Sequence, residues 1–262
     1  RVFVPYVIGT LTRLHPSYPG YDEAVRVMEE DWDNLIVLDA CRADAFERVA
    51  DLDRFDEYRS VVSLGSHSSE WTRRNFSDRE FGDTVYVSAN PHTSRDAGDS
   101  FHTIVEMWNR DFDDAAGTVL PEAMVDAALQ THEEYPDKRL IAHFMQPHGP
   151  FVGSDIPQEE ADERYWEAYD ENLEYVLEEV WRLLGELPGK SVVTGDHGQI
   201  SPGQLRDRLG VGGHKPGLRH PGLVVVPWAT VDGKRRTVIS GTTDKATSDG
   251  VNERLRDLGY KV

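Results

Sequence analysis

The chain has 262 residues, long enough for one α/β domain with a substantial core. Its 47 acidic residues against 28 basic ones give a net charge of −19, which argues against nucleic acid or an anionic membrane as the main partner. Cys41 is the single cysteine, so an intrachain disulfide is excluded, and no apolar run approaches the roughly 20 residues of a membrane span. Only six of the basic residues are lysines, and the acidic residues are spread evenly. Such a coat suits a protein that works in molar salt, where the Debye length falls to about 3 Å and self-repulsion fades. The apolar patch at residues 2–11 is too short to span a bilayer and no signal-peptide cleavage pattern follows it, so a cytoplasmic location is expected.

Residues 1–20, with three prolines and scattered aromatics, read as an extended segment ahead of one α/β domain over 21–262. A short acidic helix is expected at 21–30. The run Asn34-Leu35-Ile36-Val37-Leu38-Asp39 has the pattern of a central parallel strand ending in a carboxylate, with a helix over 40–50 after it. A strand at 60–64 leads into Gly65-Ser66-His67-Ser68-Ser69 and a helix over 68–76. Residues 84–89 form a strand that meets the turn pair Asn90-Pro91, and the polar stretch 92–118 reads as an irregular excursion. A helix with proline at its start covers 121–134. A strand at 140–145 runs into Gln146-Pro147-His148-Gly149-Pro150. The longest helix, 159–187, has apolar positions stepping by three and four. Strand 190–194 stops on Gly195-Asp196-His197-Gly198, and a glycine-rich loop at 210–217, a strand at 223–227 and a helix at 248–258 complete the chain. The alternation of strand and helix predicts three layers, α/β/α, around a mostly parallel sheet.

Open α/β sheets place ligands at the carboxyl edge of the strands. Asp39, the Ser66 loop, His148 and the Asp196–His197 pair would all be delivered to that edge. A polar turn or a helix cap explains any one of them. Four together are better explained by a divalent ion on Asp39, Asp196 and His197, oxygen and nitrogen donors that suit Zn, Mn or Mg.

As a set, these segments resemble the alkaline phosphatase and sulfatase superfamily. N-L-I-V-L-D-A-C-R-A-D at 34–44 is similar to its first metal-ligand strand, H-F-M-Q-P-H-G-P at 143–150 to its substrate-binding segment, and V-T-G-D-H-G-Q at 193–199 to its second metal-ligand strand. Gly213-His214-Lys215 stands where that family has a late His or Lys. More narrowly, the chain resembles the short sulfatase-like proteins of halophilic archaea. The resemblance implies an alkaline phosphatase-like fold with one or two divalent ions (Zn, Mn, Mg or Ca). Asp39, Asp196 and His197 would be ligands, with Ser66 as both ligand and nucleophile and Ser68 and Ser69 as its rivals. One of those three serines should cap the helix that begins at 68. His148 and His214 would hold the ester's non-bridging oxygens or ligate a second ion, and Lys215 would clamp a phosphate or sulfate.

Two features depart from a sulfatase. The segment Ser66–Glu70 lacks the Cys and Arg of C-x-P-x-R, and Ala40 stands where many sulfatases carry a second Asp. Both favour phosphate esters, on a small molecule, glycan or lipid, through a metal-activated serine. A sulfuric ester hydrolase and a non-catalytic metal-binding protein are the alternatives. The charge balance itself yields a prediction. The thermal midpoint should rise between roughly 0.1 M and 2 M KCl as carboxylate repulsion is screened, and a midpoint that stays flat or falls would contradict this reading of the surface.

Overall fold

A computed structural model describes residues 18–156, 160, 163–200, 213–246 and 250–258. Strand β1 (Asn34–Asp39) is buried at all six positions. A strand apolar on both sides needs cover on both, and β1 lies at the centre of a seven-stranded sheet. The other six strands are β2 (Glu57–Val62), β3 (Phe81–Ser88), β4 (Phe101–Glu106), β7 (Arg139–Pro147), β8 (Ser191–Gly195) and β9 (Val225–Val231). Their order is β2-β9-β8-β1-β7-β3-β4, and a separate hairpin pairs β5 (Phe112–Asp113) with β6 (Thr118–Val119). Strands β1, β3, β4, β7 and β8 run parallel, and β9 is antiparallel to both β8 and β2. Every strand of the sheet except β9 therefore ends at one edge, the edge at which β9 begins.

The helices are α1 (Ala43–Val49), α2 (Ser68–Phe76), α3 (His92–Ala97), α4 (Met107–Arg110), α5 (Pro121–Glu134), α6 (Tyr165–Glu186), α7 (Pro221–Val224) and α8 (Val251–Asp257). The two faces of β1 show how they divide into layers. Ile36 and Leu38 belong to a core with Met124 and Val125 of α5 and Leu173, Val176 and Val180 of α6. Leu35 and Val37 point the other way, into a core with Trp71 and Phe76 of α2, Tyr86 and Phe101. Each such aliphatic side chain contributes about 1.5–3 kcal/mol on burial. No helix among the described residues is long and apolar enough to cross a membrane.

Several expected elements differ. Residues 21–30 hold a bridge at Ala24 and a 3₁₀ turn at Val27–Glu29 in place of a helix, since Val27 and Trp32 turn into the core. Helix 40–50 begins only at Ala43, because Ala40 takes a left-handed φ of 61°. The excursion at 92–118 contains α3, β4, α4 and the small hairpin. The strand expected at 223–227 is a turn of helix followed by β9, the strand that runs against its neighbours. Residues 1–17, 159, 161–162, 210–212 and 248–249 of other expected segments lie outside the described residues.

The turn that carries β2 into α2 packs tightly. A Cβ on Gly65 would meet the Trp71 backbone nitrogen at 2.5 Å. Ser66 is fully buried, and its hydroxyl meets Glu70 Oε2 at 3.0 Å and the Lys215 carbonyl at 2.8 Å and accepts from the Leu218 N–H at 3.1 Å. Burial opposes ionisation of Glu70. Hydrogen bonds from Tyr21 Oη and the N–H groups of Gly217 and Ser66, with Arg74 alongside, outweigh it and hold the carboxyl below its usual range. A depressed carboxylate contributes stability above its unfolded pKa that is lost as pH falls through the folded value. Glu70→Gln should therefore cost about 1–3 kcal/mol in urea melts at neutral pH, and the gap to the parent should close below roughly pH 4. A gap independent of pH would show that the charge of Glu70 is immaterial.

Candidate active site

The structure brings Asp39, Asp196 and His197 together: one ligand atom from each lies within 4.8 Å of the others, and all three residues are fully buried. Asp39 ends β1, and the Asp196–His197 pair follows β8, its parallel neighbour. Asp196 is held by its backbone surroundings. Its Oδ1 accepts the N–H of Ala40 at 3.0 Å and of His197 at 2.7 Å, and its carbonyl accepts the Ser63 hydroxyl. The left-handed turn at Ala40 is what aims that N–H, and Tyr169 Oη closes the turn from α6 by donating to the Ala40 carbonyl at 2.6 Å.

Asp196 Oδ2 is buried without a hydrogen-bond donor, 3.4 Å from His197 Nε2. Asp39 Oδ1 lies 3.6 Å from the same nitrogen. His197 Nδ1 is 2.7 Å from the Gly198 carbonyl, which can only accept, so in the neutral ring Nδ1 carries the proton and Nε2 presents a lone pair. Two carboxylates and an imidazole lone pair thus converge in a site closed to solvent. That donor set fits a divalent cation of the Zn, Mn or Mg kind.

Ser68, the first residue of α2, stands at this cluster. Its Oγ is 3.2 Å from Asp39 Oδ2 and 3.1 Å from His197 Nε2. Ser66, expected here as nucleophile and ligand, is placed elsewhere, its hydroxyl committed to Glu70 and the 215–218 loop. No serine caps α2: the cap is His67, whose Nδ1 accepts the Ser69 N–H at 3.1 Å, while Ser69 Oγ accepts from Arg95. The imidazole takes the cap because its ring turns back over the first turn, which leaves Ser68 aimed at the cluster.

Further rings close over the site. His214 lies 4.8 Å from His197, 5.0 Å from His148 and 5.2 Å from His67, centroid to centroid. His148 Nδ1 faces the Gly149 carbonyl at 2.7 Å and His214 Nδ1 faces Gln199 Oε1 at 3.0 Å, so each neutral ring presents its lone pair at Nε2. Enclosure lowers the pKa of both, and His214 is pushed further by the neighbouring histidines. Lys215 enters the structure through its carbonyl, the acceptor for Ser66.

Three contributors were not singled out in the sequence. His67 was seen only as part of a serine-rich loop. Asn90, read as half of a turn pair, donates to Asp39 Oδ2 at 2.6 Å. His143, inside an apolar strand, has Nδ1 2.9 Å from Tyr86 Oη and Nε2 3.8 Å from Asp196 Oδ2, and burial lowers its pKa to about 4.

No family model matches the sequence, and no curated protein matches it. Solved structures match it in fold. EptA from Neisseria meningitidis, an integral membrane lipooligosaccharide phosphoethanolamine transferase, superposes with a TM-score of 0.55 at 13% identity, over 77% of this chain and 47% of that one. The C-terminal periplasmic domain of the phosphoethanolamine transferase EptC from Campylobacter jejuni gives 0.53 at 16%, over 76% and 78%. The C-terminal periplasmic domain of EcEptC from Escherichia coli, in complex with Zn, gives 0.52 at 11%, over 77% and 72%. This chain spans less than half the length of full-length EptA. At such identities the likeness is one of fold, the alkaline phosphatase-like α/β arrangement that the motifs led us to expect.

Proposed function

We propose that this chain is a metal-dependent phosphoester hydrolase or phosphotransferase in which Ser68 is the nucleophile. The observation that carries the reading is the position of Ser68 Oγ, within 3.2 Å of both Asp39 Oδ2 and His197 Nε2, beside carboxylates suited to an ion. The fold it shares with phosphoethanolamine transferases, one of them solved with Zn, supports the same chemistry. The substrate class is a phosphate ester carried on a lipid, a glycan or a small molecule.

Asp39, Asp196 and His197 would hold the ion, which supplies positive charge for the serine oxygen and for the phosphoryl group. Ser68 Oγ attacks phosphorus, the Oγ–P bond forms and the bond to the leaving oxygen breaks. The serine proton has Asp39 Oδ2 as its acceptor and ends on the leaving oxygen. Ser68 opens a nine-residue helix, whose N-terminal partial charge favours the anion that forms there. His67 accepts at Nδ1, so its neutral ring carries the proton on Nε2 and acts as a donor toward a phosphoryl oxygen. His148 and His214 present lone pairs when neutral, so they act on an anion when protonated or through a second ion. Ser66 and Glu70 hold the turn that presents Ser68.

A panel of aryl phosphate monoester, diester and sulfate substrates, with divalent metal added, tests the proposal. Ser68→Ala should lower turnover of the preferred phosphate ester by at least about 10³-fold and leave the thermal midpoint close to the parent's. Ser66→Ala should retain activity and lose about 1 kcal/mol of stability or more. Turnover retained in Ser68→Ala and lost in Ser66→Ala would overturn the assignment. A preference for the sulfate ester would move the protein to sulfuric ester hydrolysis.

A further inference from the structure

We infer that Asn90 is the positioning residue that decides which oxygen of Asp39 faces the ion. The inference rests on the metal centre described above. A carboxylate has two equivalent oxygens and turns easily about Cβ–Cγ, so a ligand is fixed only when a neighbour makes them unequal. For Asp196 that neighbour is the backbone: the Ala40 and His197 N–H groups occupy Oδ1 and leave Oδ2 toward His197 Nε2. For Asp39 it is a side chain. Asn90 Nδ2 donates to Oδ2 at 2.6 Å, and Oδ1 is left toward the same His197 nitrogen. Each carboxylate thus has one oxygen engaged by donors and one turned toward the ion.

Asn90 is itself immobilised. It is fully buried at the end of β3, and its Oδ1 accepts the His92 N–H at 2.9 Å. Its own N–H donates to Ser88 Oγ at 3.1 Å, and its carbonyl accepts from that hydroxyl at 2.9 Å. Ser88 Oγ is in turn 2.9 Å from Thr93 Oγ1. Reversing the amide would set an oxygen against the Asp39 carboxylate and an NH₂ against the His92 N–H, so the contacts fix which atom is nitrogen. The donor also acts on the nucleophile. Ser68 Oγ meets the same Asp39 oxygen at 3.2 Å, so a carboxylate free to turn would carry the serine contact with it.

Zinc titration calorimetry on the metal-stripped full chain tests this. Asn90→Ser keeps a short acceptor for the His92 turn and removes the amide that reaches Asp39. We expect its Kd for Zn²⁺ to rise about 10–100-fold while the metal-free thermal midpoint stays near the parent's, with excess Zn²⁺ restoring turnover at an unchanged KM. Asn90→Ala should show the same loss of affinity. A Kd within about threefold of the parent's overturns the inference. So does loss of the folded metal-free state in both variants, which would make the bond a contact of the fold alone. A parent chain that takes up no Zn²⁺ would overturn the metal-centre reading, and this inference with it.

Discussion

The structure depends on one electrostatic constraint: two carboxylates, Asp39 and Asp196, fully buried and facing each other across a single imidazole. Two like charges about 5 Å apart repel by about 3 kcal/mol at an effective dielectric constant near 20, before the cost of leaving water is counted. Backbone N–H groups and the Asn90 amide relieve one oxygen of each. The other pair faces His197 Nε2 at 3.6 and 3.4 Å, a lone pair in the neutral ring. A divalent cation would satisfy all three at once, and the donor set suits one.

The sheet topology makes that convergence possible. Because β1, β2, β3, β7 and β8 end at one edge, Asp39, the turn to Ser68, Asn90, His148 and the Asp196–His197 pair arrive there from five different strands. Reversed β9 adds the segment that precedes it, and with it His214. Asp39, Asn90, His148 and the Asp196–His197 pair end or follow largely buried strands of the sheet, while the turn to Ser68 follows the edge strand β2, so most of the site inherits the rigidity of the sheet.

Much of this could be read from the sequence, for physical reasons that also mark where the reading stopped. The runs ending in Asp39 and Asp196 are short and rich in apolar and β-branched residues, the pattern of a central strand, and the glycines around Asp196–His197 announce a turn. Helix 121–134 was recovered to the residue because Pro121 starts it and its apolar stripe is regular. In contrast, β4 is a half-exposed edge strand and α3 has six residues without an apolar stripe, so the stretch 92–118 carries no period to detect. Which serine stands at the cluster turned on geometry that composition cannot carry. Ser66 lies in the turn ahead of the helix and Ser68 opens it, with extended His67 between them, so a shift of two residues decides between the Glu70 contact and the cluster. The sequence offered serines at 66, 68 and 69; in the structure His67 takes the cap, Glu70 engages Ser66, and Ser68 stands at the cluster. Asn90 and His143 escaped notice because Asn-Pro reads as a turn and a histidine in an apolar strand reads as core.

Anomalous diffraction from crystals of the full chain soaked in Zn²⁺ tests the account most directly. The account places one strong peak among Asp39 Oδ1, Asp196 Oδ2 and His197 Nε2, at about 2 Å from each, with Ser68 Oγ turned toward it. A peak held by other residues, or one beside Ser66 with Ser68 turned away, would contradict it.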